Sequence, residues 1–247
     1  MIKFGNKVQA SLNSNQFDVF GDMQEASVKP PNPPDVDPWG TMQLLSKEKE
    51  VVGIYLSGHP LDDYYLEVQN FCNADLSILE NLSIKKGKEL RFAGVVTNIE
   101  HRETKKGKPY GIIHLEDYRD SFSFYFFSDD YIKYKAFFTE GWILHITGKV
   151  QKKFYNDDLE FKVTNIDLLS EVIDKEVRDV ILIMDVNDIN ESNIQSLHEL
   201  IKLNKGKHSL VLNITDQINK YDVDLLSRKY KINLDNEFYN KLATLKH

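Results

Sequence analysis

The side chains that could do chemistry in this 247-residue chain are paired carboxylates, two short runs of lysine, and rings set among those lysines. Carboxylate pairs stand at Asp62-Asp63, Asp129-Asp130 and Asp157-Asp158. Adjacent side chains project in different directions, so such pairs make poor metal sites by themselves. Two D-x-D strings, Asp35-Val36-Asp37 and Asp222-Val223-Asp224, would put both carboxylates on one face of a strand, as two-metal phosphoryl transfer requires. The first lies among prolines, and the second has no third carboxylate or basic phosphate clamp beside it. No HExxH, GxSxG or GxxxxGKS/T string occurs, and the seven histidines show no ligand spacing. His59, at the end of a helical stretch with no partner in sequence, reads as structural. The expectation is a chain with no catalytic residue, no metal and no cofactor of its own.

The lysine runs point to a different chemistry. His101-Arg102-Glu103-Thr104-Lys105-Lys106-Gly107-Lys108 reads as a hairpin tip presenting positive charge, with Tyr110 just beyond it. Gln151-Lys152-Lys153-Phe154-Tyr155-Asn156-Asp157-Asp158 interleaves lysines with two rings. Lysines suit phosphates and exposed rings suit stacking on bases, so the candidate DNA contacts are Arg102, Lys105, Lys106, Lys108, Tyr110, Lys152, Lys153, Phe154 and Tyr155. The competing reading is of two ordinary solvated hairpins whose rings cover the ends of a barrel.

The elements that must position these loops are five short strands: RFAGVVTNIE, PYGIIHLEDY, SFSFYFFS, WILHITGKV and DLEFKVTNIDLL. A helical break, YIKYKAFF, falls between the third and fourth. In the third strand Phe122, Phe124 and Phe126 point one way and Ser121, Ser123 and Tyr125 the other. Five strands in this order over 87–170 have the size of an OB-fold, a small Greek-key barrel whose ligand groove lies between those two hairpins. Fold analogy alone attaches single-stranded nucleic acid or oligosaccharide to such a groove.

Around the barrel the chain divides into segments. Residues 1–40 hold an apolar island, Gln16-Phe17-Asp18-Val19-Phe20, and a linker with five prolines from Pro30 to Pro38. Such an island folds back on a neighbour or serves another protein as a ligand. Residues 41–86 read as a helical segment: Thr41 to Leu56, stopped by Ser57-Gly58-His59-Pro60, then Leu61 to Phe71. Residues 171–247 read as a small α/β domain with strands at 180–186 and 209–214 and one or two more within 221–232. Helices are expected over 190–203 and from an Asp235 cap to about Leu245. The fold class expected is therefore mixed α+β and multidomain. Net charge is −7, but the barrel segment carries 13 basic and 13 acidic groups, with its cations bunched in the two loops. The lone Cys72 fits a reducing compartment, and no apolar run is long enough to span a bilayer, so the expected place is the cytoplasm, with no membrane partner.

Three strings tie these pieces together. EKEVVGIYLSGHPLDDY at 48–64 closely resembles a signature ahead of the OB domain in the alpha subunit of bacterial DNA polymerase III. GVVTNIEHRETKKGKPYGIIHLED at 94–117 resembles the first hairpin of that domain, and IKFGNKVQ with QFDVFG resembles the segment before its linker. The third strand departs from the family pattern, with aromatic residues where aliphatic ones are usual. The resemblance implies that Gln16, Phe17, Asp18, Val19 and Phe20 bind the sliding clamp (the beta subunit), Gln16 by hydrogen bonding and Val19 with Phe20 by filling an apolar pocket. It implies that the barrel binds single-stranded template DNA and that the terminal domain binds the clamp-loader tau subunit. It also implies upstream polymerase domains of the same subunit as neighbours. The chain would then be part of a DNA-directed DNA polymerase, inactive by itself. The alternative is an OB-fold protein-interaction module without DNA binding.

Overall fold

The computed structural model describes residues 6, 9, 37–82, 87–153, 157–216 and 218–244. The chain divides into two units, 1–41 and 42–247, and the account below concerns the second. The Gln16–Phe20 peptide, Phe154 and Tyr155 lie outside the described residues.

Five strands form one antiparallel sheet: β1 (Glu89–Glu103), β2 (Pro109–Glu116), β3 (Ser121–Phe127), β4 (Ile143–Lys152) and β5 (Leu159–Leu168). Their spatial order is β3-β2-β1-β4-β5. β1 serves two partners, pairing with β4 from Glu89 to Val95 and with β2 from Val95 to Glu103. A register shift between Val96 and Asn98 lets it turn from one to the other. At Gly94, where that turn begins, a Cβ would lie 2.6 Å from Leu115 Cγ, so only glycine permits the approach. The sheet curls until Phe161 of β5 meets Phe124 of β3, ring centroids 6.1 Å apart, with Phe92 of β1 between the edges at 5.2 Å. Phe92, Ile113, Leu115, Leu144 and Ile146 fill the interior and are almost wholly buried. The short helix α3 (Asp129–Tyr134) plugs one end, with Tyr131 and Tyr134 buried and the Tyr134 hydroxyl donating to Thr164 O at 2.7 Å. This is the OB-fold the sequence pattern calls for, including the helical break between the third and fourth strands.

The segment ahead of the barrel differs from expectation at its first helix. α1 (Thr41–Val52) ends four residues early, because Gly53 takes φ +88° and its N–H bonds Lys49 O at 2.9 Å. Glu48 then draws the chain back, accepting from the Ser57 hydroxyl and from Leu56 N and Ser57 N at 2.9 Å each, and these bonds, the hydroxyl's foremost, hold its carboxyl below the usual carboxylate pKa range. The second expected helix begins as a 3-10 turn (Asp62–Tyr64) and becomes α2 (Tyr65–Phe71). α2 and α4 (Leu169–Glu176) cover the outside of β1 and β4, burying Leu61, Ala93, Val95, Ile143, Leu169 and Val172 together.

The terminal module is a β-α-β unit with a hairpin added: β6 (Asp179–Asp185), α5 (Glu191–Leu203), β7 (Lys205–Asp216), β8 (Tyr221–Ile232) and α6 (Asn236–Thr244). β6 and β7 are parallel, as an intervening helix demands, and β8 is one long antiparallel strand rather than two. Asn190 caps α5 through Asn193 N at 2.9 Å, and Asp235 caps α6 through Phe238 N at 2.7 Å. Both helices pack on one face of the sheet over Leu182, Leu210, Ile232 and Phe238. The module is joined to the rest through Asn236, whose Oδ1 accepts from Leu66 N at 3.0 Å, and through Lys207 with Asp174 at 2.7 Å.

Candidate nucleic-acid interface

The register of β1, β2 and β3 decides which residues share the outward face. Ile99, Ile113 and Phe124 align across the three strands and point into the core. The row Arg102–Tyr110–Phe127 therefore lies on the outer face, as do Glu100–Ile112–Tyr125, with Ile112 itself buried, and Asn98–His114–Ser123 further along. The Tyr110 and Phe127 rings stack with centroids 5.2 Å apart and planes inclined at 22°. Tyr125 continues the row beyond Phe127 at 6.4 Å and 12°. Tyr125 and Phe127 are 58% and 53% exposed, so the rings leave much of their surface to water. A large aromatic surface held rigid and uncovered contributes little to folding and is suited to contact with another flat ring.

Beside this row stands the β1–β2 hairpin tip. Thr104 N bonds Lys108 O at 2.9 Å and Gly107 N bonds Thr104 O at 2.8 Å, with Gly107 at φ +73° where a side chain would be strained. Lys105, Lys106 and Lys108 are exposed and form no ion pair among the described residues. Arg102 at the base of the hairpin is held by the Tyr110 hydroxyl and by Glu100, which together raise its pKa. The two halves of the sequence motif, cations and ring, thus converge on one edge of the groove.

The second lysine loop is less available. Lys152 forms an ion pair with Asp157, and Lys153 N closes the β4–β5 hairpin on Asp158 O at 2.8 Å. Lys162 of β5 pairs with Asp130 of α3. Among the described residues no hydrogen bond or ion pair joins the two hairpins.

Away from the rings the same face becomes polar. His114 Nε2 lies 3.1 Å from Glu100 Oε1 and its Nδ1 lies 2.9 Å from Ser123 Oγ. Lys49 of α1 reaches over to pair with Glu116 Oε2. Between these groups is a hollow of about 210 Å³ floored by Asn98, His114, Glu116, Ser121 and Ser123. Sequence reasoning singled out none of these residues, nor Tyr125 and Phe127 as contacts. The signal for the two rings was the alternation in SFSFYFFS, which sets them opposite Phe124 and Phe126.

The remaining candidates are structural where they are described. The His59 ring packs against Tyr118 with centroids 4.4 Å apart and planes tilted by 38°, it accepts from Leu61 N at 3.1 Å, and burial pushes its pKa down. Asp222 and Asp224 do share a face of β8, where both accept from Asn213 Nδ2, at 2.8 Å for Asp224. Among the described residues there is no group of acidic, histidine or cysteine side chains that could hold a metal, and no helix long and apolar enough to cross a membrane.

Comparison with known proteins follows this geometry. Residues 180–246 match the family model described as the C-terminal domain of the DNA polymerase III alpha subunit, and residues 90–169 match an OB-fold nucleic acid binding domain. The DNA polymerase III subunit alpha of Borreliella burgdorferi is 33% identical over 135 residues, covering 52% of this chain and 11% of the relative. That of Escherichia coli K12 is 23% identical over 209 residues, covering 82% of this chain and 18% of the relative. The chain thus spans less than a fifth of the length of these curated relatives. Barrel, terminal module and relatives agree in supporting a C-terminal fragment of a DNA polymerase III alpha subunit.

Proposed function

We propose that this chain is the DNA- and partner-holding part of a replicative polymerase subunit, without catalysis of its own, and that single-stranded template lies across the outer face of β1, β2 and β3. The observation that carries this reading is the stacked row Tyr110–Phe127–Tyr125 beside three exposed lysines free of ion pairs. Lysines at the hairpin tip take phosphates, and each ring accepts a base at about 1–3 kcal/mol without regard to sequence. Fluorescence anisotropy of a labelled single-stranded oligonucleotide tests it. Binding that weakens as salt rises supports the groove, and binding that salt does not affect, or none at all, contradicts it.

Two further contacts complete the reading. Gln16 to Phe20 serves as the ligand of the sliding clamp, a reading supported by its resemblance to the family's clamp-binding segment. The terminal module serves the clamp-loader tau subunit, supported by its match to the family's C-terminal domain. A peptide tethered to a ring around DNA makes each rebinding intramolecular, at high effective concentration, which is how such a chain would raise processivity. The reading as a protein-interaction module without DNA binding draws on the net charge of −7 and on Glu100 and Glu116 in the groove. The same anisotropy titration separates it from ours.

A further inference from the structure

The terminal sheet has one face that its own helices leave uncovered. β6 and β7 run parallel, and parallel pairs ordinarily carry helices on both faces. Here α5 and α6 both pack over Leu182, Leu210, Ile232 and Phe238, on one face. β6 is nevertheless apolar on both sides, and Ile181 and Ile183 point away from the helices. The register sets Ile181, Val211 and Leu226 in one row across the three strands, with Ile183, Asn213 and Asp224 in the next. Ile181, Ile183 and Leu226 are 58%, 60% and 63% exposed. Apolar side chains gathered on an uncovered sheet face mark a surface that another element covers.

The charges around this patch decide what kind of element fits. The row Asp185–Thr215–Asp222 closes the patch at one end and the row Asp179–Ser209–Lys231 at the other. Asp222 and Asp224 both accept from the Asn213 amide. Among the described residues none of Asp179, Asp185, Asp222 and Asp224 has an ion-pair partner. Against these four carboxylates the paired positions of the face hold one cation, Lys231. A nucleic-acid backbone is repelled by such a face, and a second copy of the chain would bring the same carboxylates to it. Its complement is an apolar stripe with lysines or arginines beside it. Three strands at about 4.8 Å spacing are about 10 Å wide, the width of one helix with its side chains. Helices are also what the same sheet packs on its other face.

We infer that the outer face of the β6–β7–β8 sheet is a docking surface for an amphipathic helix of a partner protein, with lysines or arginines flanking its apolar stripe. The stripe covers Ile181, Ile183, Val211 and Leu226, and the cations reach Asp222 and Asp224 on β8 and Asp185 on β6. The inference rests on reading the terminal module as a protein-contacting one, and it names the face and the chemistry of that contact.

The probe is a designed helical peptide of leucine and lysine, with leucine at every third or fourth position, titrated into the full 247-residue chain. Methyl NMR should show shifts at Ile181, Ile183, Val211 and Leu226, and calorimetry gives the affinity. A counterpart peptide with glutamate in place of lysine should bind about tenfold more weakly or worse. Ile181→Ser with Ile183→Ser, at exposed positions, should weaken the lysine peptide by about tenfold or more while leaving the urea midpoint unchanged. Asp222→Asn with Asp224→Asn keeps the side-chain shape and should weaken binding and flatten its salt dependence. No binding, shifts elsewhere, equal affinity for the glutamate peptide, or affinity that survives the isoleucine substitutions overturns the inference. So does a natural chain that sediments as a dimer and becomes a monomer with those substitutions, since the face then belongs to a second copy. Binding of the clamp-loader tau subunit is scored separately. If the natural chain binds it and the isoleucine substitutions leave that binding unchanged, the inference fails and the reading of the module stands. If the natural chain does not bind it, that reading fails, and the peptide titration still decides the inference.

Discussion

Tyr125 and Phe127 occupy positions where an aromatic ring costs solubility and adds little to stability. Replacing either by alanine should weaken single-strand binding by about 1–3 kcal/mol in an anisotropy titration while leaving the urea midpoint almost unchanged. Gly111 behaves in the opposite way. A Cβ there would lie 2.3 Å from a ring carbon of Phe138 and 2.7 Å from Tyr131, so Gly111→Ala should lower stability by about 1–3 kcal/mol through overpacking under α3. His145 gives a pH signature. Burial depresses its pKa below the ordinary value near 6.5, and in the neutral form its Nε2 sits 3.3 Å from Phe71 O. The unfolded chain then holds more protons over the window from that lowered value up to about 6.5. Stability is therefore full above about pH 6.5 and is lost as pH falls through the folded pKa. Urea midpoints measured between about pH 7 and pH 5 should fall with pH, and His145→Gln should flatten that fall. At this scale the sequence showed the phase of the rings but not their company. Alternation in SFSFYFFS sets Tyr125 outward, whereas its stacking with Phe127 and Tyr110 depends on a β2–β3 register that only the folded sheet fixes.

At the scale of elements, the β1–β2 hairpin carries the exposed cations and the β4–β5 hairpin carries at least one that is already paired, Lys152 with Asp157. Changing Lys105, Lys106 and Lys108 together to alanine should reduce the slope of log affinity against log salt by about 2, at roughly 0.7 per phosphate on a single strand. Changing Lys152 alone should move it by much less. The strands of the barrel were readable because their apolar residues alternate and because glycine and polar clusters separate them. The helix cap at Asp235 was readable for a local reason also, and the start of α5 was narrowed to Asn190 or Ser192, of which Asn190 caps it; each capping side chain bonds a backbone N–H three residues on. The early end of α1 was not readable. VVGIYL continues the apolar pattern past Gly53, and the Glu48 carboxylate that turns the chain back acts across a loop. The ion pairs that hold Lys152 and Arg102 were hidden for a similar reason, because charge density along a sequence does not say which charges meet.

For the whole molecule, the polar contacts that join the barrel and terminal module among the described residues centre on Asn236, with Leu66 and Asp63, and on Asp174, with Lys207. Asn236→Ala with Lys207→Ala should loosen that joint and expose the Leu66 amide, which donates to Asn236 Oδ1, to faster hydrogen exchange, while single-strand affinity stays within about twofold. On the proposed reading, Val19→Ala with Phe20→Ala abolishes clamp binding and leaves DNA binding intact, a separation that calorimetry against each ligand would show. The measurement closest to the central claim is hydrogen exchange across the full chain with and without a single-stranded oligonucleotide. The account predicts slowed exchange at the β1–β2 hairpin and along β3, from 101 to 112 and from 121 to 127. No slowing there, or slowing confined to the terminal sheet, would contradict the assignment of this face as the DNA interface.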